Sequence, residues 1–484
     1  MGRKMTTRLL PLFGFLFLTA YIRSATENVV YTDYIRLVNS YLENVWSFAP
    51  YLHGDILTRI PVNYLERIIN VELFQYSTTF DMMLGAAGLT VSALAVVRYC
   101  EERQLSPWTA GAVILFLFSL NKWEMLTNGS GWVHFAAFGL FWQHFLVYDG
   151  VMAGTKSSRR RQFLLYLLPW IVIPFFSGPY CGVYAVTLMT ADLFLLAAGR
   201  GRQDSKSREE RRESIRAAVI RMACAFLPLC LYLLSRAHSV EERAGATTES
   251  IGTVMAARPM LLPVMFVRSF SSMVIGAEAA DHWGIGKSVS ILLGLLVMGC
   301  YAYAFLLNFR RRIYEKTTFP LFLLTSGFLN HVLVTASRWI FLNDAYGMSS
   351  RYALQYQAGI AGILLTLAVS QRADLCGAGL PVSGDAGKEA ERRKRERRAA
   401  ALITVVFLAG SLLTTGREIH MAPYREEHFI AMRDTALHFE SRTDEELKDV
   451  LQYHDPDRTR RALGLLRERG LNVFAGDLAP EEQE

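Results

Sequence analysis

Cysteine is scarce and scattered: Cys100, Cys181, Cys224, Cys230, Cys300 and Cys376 include no CxxC pair and no spacing that suits a metal. A disulfide framework and a zinc module are therefore excluded as organisers of the fold. HExxH is missing as well, and His134, His144, His282 and His331 stand singly in or beside apolar stretches, where packing is the simpler reading. The chain has no evident internal repeat, and only Arg221, His144, His331 and Asp192 are candidates for buried charge. A carrier built on repeats around intramembrane charges would show more of both.

Apolar surface is what the chain has in excess. Hydrophobic residues make up 52% of the 484 and aromatics 12%, more than a soluble domain of this length usually carries. The net charge of +7 brings nucleic acid to mind, but the surplus sits in loops between apolar runs. No nucleic-acid partner is expected; the charge reports orientation in a membrane instead.

A hydrocarbon core of about 30 Å needs roughly 20 apolar residues per helix. Runs near that length fall at 8–22, 82–98, 108–120, 132–149, 163–177, 181–198, 217–235, 288–308, 318–337, 353–370 and 400–415. The expectation is an all-α, polytopic transmembrane bundle of about eleven spans over residues 1–415, with an extracytoplasmic helical tail over 416–484. Arg3, Lys4 and Arg8 before the first run resemble a secretory signal, but Arg23 stands where cleavage needs a small residue. The segment reads as an uncleaved first span.

The N-terminus and the loops 98–107, 154–162, 199–216, 309–317 and 371–399 hold more than twice the Lys and Arg of 23–81, 121–131, 178–180, 236–287 and 338–352. The positive-inside rule then gives N-in and C-out in a bacterial inner membrane. It sets Arg159-Arg160-Arg161, Arg310-Arg311-Arg312 and Arg392-Arg393-Lys394-Arg395 on one cytoplasmic side. The stretch 371–399 reads as a solvated linker held near anionic lipid.

Two outer loops, 23–81 and 236–287, are too long to be turns. In the first, Leu37, Val38, Tyr41, Leu42, Val45 and Trp46 share one helical face, which predicts a helix along the membrane surface. In the second, Met260 to Val267 is apolar but short and broken by Pro263, so a surface or re-entrant helix is expected. The tail predicts two or three short helices around Leu447, Val450, Leu451 and Leu463 to Phe474, too few to bury a core alone.

Candidate chemistry concentrates on the outer side. The first outer loop carries Asp33, His53, Asp55 and Arg59, and the next carries Lys122, Glu124 and Asn128. A partly desolvated carboxylate takes a proton from an acceptor hydroxyl, which makes Asp33 and Asp55 candidates for a base. Against this, Asp33 reads equally as a helix cap and Asp55 as a solvated loop residue. Arg338 closes one span and Arg351-Tyr352 opens the next. Arginines there grip phosphate bidentately, or snorkel to headgroups. Trp46, Trp123, Trp132, Trp283 and Trp339 suit an aromatic belt.

Taken in order, His53-Gly54-Asp55-Ile56-Leu57-Thr58-Arg59-Ile60, Glu124-Met125-Leu126-Thr127-Asn128 with Trp132, the Ser-Gly-Pro-Tyr-Cys-Gly turn at 177–182, Arg351-Tyr352 and Leu471-Asn472-Val473-Phe474 resemble segments of type C (GT-C) polytopic membrane glycosyltransferases. The nearer likeness is to an uncharacterised bacterial group in that class whose first-loop motif is shorter and carries Glu where Asp55 stands. The resemblance implies an enzyme that moves a sugar from a polyprenyl-phosphate carrier to a glycan, lipid or protein acceptor at the outer face. It implies the phosphate near Arg338 or Arg351, Asp33 or Asp55 as base, and His53, Arg59, Glu124, Asn128 and Tyr352 as substrate contacts. Some members of that class use a divalent cation, and no residue set here fixes one. A transporter or flippase of a lipid-linked glycan or small solute is the second reading. A glycan polymerase or ligase is the third, although the loop 338–352 is short for one.

Overall fold

The computed structural model describes residues 2–47, 49, 60–153, 159–176, 178–200, 208–236, 245–376 and 386–476, and every regular element among them is helical. In chain order the α-helices are α1 (Gly2–Ala25), α2 (Asp33–Tyr41), α3 (Pro61–Phe74), α4 (Thr78–Glu102), α5 (Pro107–Leu117), α6 (Trp123–Thr127), α7 (Trp132–Met152), α8 (Arg159–Phe175), α9 (Cys181–Arg200) and α10 (Arg208–Arg236). They continue with α11 (Ile251–Ala257), α12 (Leu261–Ser271), α13 (Ala277–His282), α14 (Lys287–Arg310), α15 (Phe319–Arg338), α16 (Ala353–Ser370), α17 (Ala386–Leu437), α18 (Asp444–Val450) and α19 (Pro456–Glu468). His53, Asp55 and Arg59 fall outside the described residues.

Among the described residues, eight segments are long and apolar enough to cross a membrane: Thr7–Ala25, Thr78–Glu102, Gly178–Ala197, Glu209–Arg236, Lys287–Arg310, Phe319–Phe341, Ser350–Ser370 and Glu391–Leu437. Each overlaps one of the expected spans. The other three expected spans correspond to α5 with 11 residues, α8 with 17 and α7 with 21. The first two are short, and His134, Gln143, His144 and Asp149 dilute the apolar character of α7. Lipid leaves a backbone no partner but itself, which is why stretches rich in Gly, Val and Thr such as α4 are helical here.

Helix α16 is the axis of the bundle, with most of its residues buried, and it packs against α14, α15 and α5. Close approach rests on glycine: a Cβ on Gly362 would sit 2.4 Å from the backbone nitrogen of Leu324, and one on Gly88 2.6 Å from that of Ala136. Outward faces are apolar, with Phe13, Leu231, Leu292 and Leu413 each more than half exposed. A hydrocarbon surround fits them.

One end of the bundle is tied by charge. Arg8 pairs with Glu101 at 2.8 Å, Arg161 with Glu102 at 2.7 Å, Arg103 with Asp149, and Arg311 with Glu396. Asp149 is fully buried and also caps α15, accepting from the backbone N–H of Thr318 at 2.6 Å and of Phe319 at 3.2 Å. These contacts gather segments next to the Arg-rich loops at a common end.

Several expectations are corrected. The apolar face of α2 does not lie on lipid: Tyr34, Ile35, Leu37, Val38 and Tyr41 are buried in a core shared with Phe439, Leu447, Leu463, Leu466 and Phe474 of the tail. As expected, the tail does not bury a core alone: about half of this one comes from residues 29–76. Nor does it begin with a break, because α17 runs unbroken for 52 residues, about 78 Å at 1.5 Å per residue. That helix starts inside the stretch expected to be linker. Of the two forms expected for 260–267, the re-entrant one fits and the surface one does not: α11 and α12 meet at 89°, and α12 buries Met265, Ser269 and Phe270 in the bundle.

Candidate functional site

The end opposite the charge ties is where α1, α4, α6, α13 and α16 meet the upper part of α17. Two short turns set the geometry. In the first, Asn128 Oδ1 accepts from the Ser130 N–H at 3.2 Å and the Ser130 hydroxyl at 2.6 Å, turning the chain from α6 into α7. Only glycine fits between them, since a Cβ on Gly129 would lie 2.3 Å from the Tyr34 hydroxyl oxygen. In the second, Ser349 Oγ accepts from the Arg351 N–H at 3.3 Å and starts the 3-10 turn that leads into α16.

These turns bring Glu124 and Arg351 together as an ion pair through Oε1 and Nε. The other oxygen of Glu124 receives hydroxyls, from Ser350 at 3.1 Å and from Ser349 at 3.4 Å. Beside the pair opens a cleft of about 340 Å³, walled by Tyr31, Trp123, Tyr424 and Arg425 among others. A smaller recess of about 60 Å³ adjoins it, lined by Asp33, Glu124, Asn128, His134 and Arg351. Four of the expected site residues, Asp33, Glu124, Asn128 and Arg351, thus share one place.

Asp33 is not the cap of α2. The helix begins at Asp33 itself, Thr32 is the preceding residue, and the Asp33 carboxylate pairs with Arg36 at 3.1 Å while remaining 40% exposed. Thr32 is held at φ +45°, a conformation unfavourable for a β-branched residue, and its N–H donates to Leu451 of the tail at 2.9 Å. Tail docking therefore helps aim Asp33.

Arg338 and Tyr352 stand apart from the recess: the Arg338 guanidinium lies 5.7 Å from the centre of the Tyr352 ring, a cation–π contact. Lys122 is withdrawn too, donating at 2.8 Å to the carbonyls of Leu117 and Ser119 that end α5, and burial pushes its ammonium down to about 7. Asn128 is buried, its side-chain oxygen facing its own turn.

Comparison with protein-family models, with characterised proteins and with solved structures finds no match. The site is therefore read from its own chemistry.

Sequence reasoning missed the contribution of α17. Arg425 stacks on Trp123 with its guanidinium carbon 3.1 Å from the ring centre, and both Arg425 and Arg417 pair with the buried Glu418. Tyr424 and His428 extend the same wall. The spacing of Met421, Arg425, His428 and Met432 at steps of three and four was the available signal, hidden by placing the helix end at 415. Glu278 on α13 was missed as well; its carboxyl lies 3.1 Å from the Ser350 hydroxyl. Burial, together with the neighbouring Glu418 and Glu124 charges, raises it above the ordinary carboxylate range. Among the described residues no group of three His, Cys, Asp or Glu side chains is arranged to hold a metal ion.

Proposed function

We propose that the chain is a polytopic membrane glycosyltransferase of about eleven spans, N-in and C-out in a bacterial inner membrane, that transfers a sugar from a polyprenyl-phosphate carrier to an outer-face acceptor. The observation that carries this reading is the juxtaposition of an exposed carboxylate, Asp33, with a guanidinium, Arg351, around one recess that opens into an aromatic cleft. Direct displacement at an anomeric carbon needs these two functions on opposite sides of the sugar. Asp33 takes the proton of the acceptor hydroxyl as its oxygen bonds to the anomeric carbon. The bond from that carbon to the phosphate oxygen breaks, and Arg351 steadies the charge on the departing polyprenyl phosphate. Tyr31, Trp123 and Tyr424 supply faces against which a sugar packs.

The test is purified protein in lipid nanodiscs with a mixed pool of polyprenyl-linked sugars. Release of polyprenyl phosphate, abolished in Arg351→Ala, is the expected outcome. Absence of release from every donor contradicts the reading.

A second reading, a carrier, draws on one buried pair. Arg221 donates to Asp192 at 2.8 Å, and the Tyr148 hydroxyl donates to the same oxygen at 2.6 Å, all within apolar helices. Ion-dependent solute uptake that fails in Asp192→Asn, without sugar transfer, selects it.

A further inference from the structure

The Ser350 hydroxyl has one hydrogen and two carboxyl neighbours. Its oxygen lies 3.1 Å from Glu124 Oε2 and 3.1 Å from Glu278 Oε1. One hydrogen serves one acceptor, so both contacts are hydrogen bonds only if a carboxyl supplies the second proton. Of the two carboxyls, Glu124 is the one that already accepts from a guanidinium, through Oε1 from Arg351 Nε. The second proton therefore sits on Glu278, which donates to Ser350, which donates to Glu124.

Around Glu278, burial and the neighbouring carboxylates outweigh its own backbone N–H and the Ser350 hydroxyl, which favour the charged form. Across from it stand Glu124 on α6, Glu418 on α17, and the Tyr21 hydroxyl on α1; Asp281 and His282 share its own helix. Arg417 and Arg425 are both committed to Glu418, and Arg351 to Glu124. The carboxyl is half-buried, and burial pushes it up.

From this arrangement the geometry points to Glu278 as a positioning residue that, through Ser350, lends its proton to Glu124 and so frees Arg351 for a phosphate group. When phosphate takes the guanidinium, Glu124 loses its cation. The Glu278 O–H proton passes to Ser350 Oγ as the Ser350 proton passes to Glu124 Oε2. Glu278 ends as the carboxylate and Glu124 as the acid, with no proton gained or lost overall. This inference rests on the sugar-transfer reading only in naming the phosphate as that of a polyprenyl carrier; the proton's location stands without it.

The experiment has two parts. In infrared difference spectra of the whole protein at pH 7, wild type minus Glu278→Gln should show the carbonyl band of one protonated carboxyl, with any Glu66 contribution cancelling, and Ser350→Ala, which keeps the acid but removes its acceptor, should shift that band. No change of that band in Glu278→Gln overturns the proposal, whatever the enzyme assay gives. For the second part, polyprenyl phosphate in nanodiscs is titrated against pH. Wild-type affinity should fall about tenfold for each pH unit above the Glu278 pKa, and Glu278→Gln should bind more weakly without that slope. Equal slopes in the two proteins overturn the role assigned to the proton. Should the infrared band behave as expected and no sugar transfer occur with any donor, the relay stands and the proposed reaction falls.

Discussion

Glu124 and Arg351 lie 227 positions apart in the chain and meet as an ion pair where α6 and the turn before α16 converge. Neither side chain is fully withdrawn, at 26% and 42% exposed, so the pair is open to competition by a ligand. Replacing Arg351 by Lys keeps the charge but loses the planar fork, and sugar transfer should drop about a hundredfold. Steady-state release of polyprenyl phosphate measures it. A Lys variant with wild-type turnover excludes a bidentate role.

Asp33 offers a cleaner separation of catalysis from stability. Its partner Arg36 is one turn away on α2, and because the Asp33 side of this pair is open to solvent it should contribute no more than about 1 kcal/mol. Asp33→Asn should leave the melting temperature nearly unchanged while lowering turnover by about a hundredfold or more. Parallel loss of both marks Asp33 as structural, and Asp55 then becomes the base to test.

The tail is attached at Asn472. Its side chain accepts from the Val30 N–H at 3.2 Å and donates to the Tyr76 carbonyl at 2.8 Å, while its backbone N–H donates to the Gln75 carbonyl at 2.8 Å. Asn472→Ala leaves buried backbone groups unpaired, and should destabilise the outer subdomain by about 1–3 kcal/mol. Protease sensitivity after α17 and thermal unfolding report it. Activity should fall with it, because the strained Thr32 that precedes Asp33 is held by the same docking.

A pH dependence follows from Glu66. Under α3, Glu66 and Asp81 flank one guanidinium, Arg67, at 2.9 and 2.8 Å, all nearly fully buried. Desolvation raises Glu66 well above its ordinary range, so it folds as the acid. A carboxyl with a raised folded pKa contributes its full share below its unfolded pKa of about 4.3, and that share is lost as pH climbs through the folded value. The melting temperature of wild type should therefore fall, relative to Glu66→Gln, on going from acid to alkaline pH. Parallel curves for the two proteins contradict the assignment.

Reading the chain as a sequence found the eight helices long and apolar enough to cross a membrane because lipid imposes a length and a composition that each one states locally. It singled out Glu124 and Arg351, which the structure brings together, because charged residues bordering apolar runs are conspicuous. It misplaced α2 for an equally physical reason: an apolar helical face does not say whether lipid or protein covers it, and here the cover is the tail more than 400 residues away. The long α17 was cut at its last apolar residue, although charged and polar residues such as Arg417, Glu418 and Arg425 continue a helix readily once it leaves the membrane. Glu278 was invisible because its meaning lies in a hydroxyl contributed by another part of the chain.

The account depends on one shared outer crevice, and single-cysteine labelling tests it most directly. In a background without the six native cysteines, Asp33→Cys, Arg351→Cys and His428→Cys should all react with a membrane-impermeant maleimide added outside intact cells or spheroplasts. Asp33→Cys and Arg351→Cys reacting from opposite sides of the membrane would contradict it.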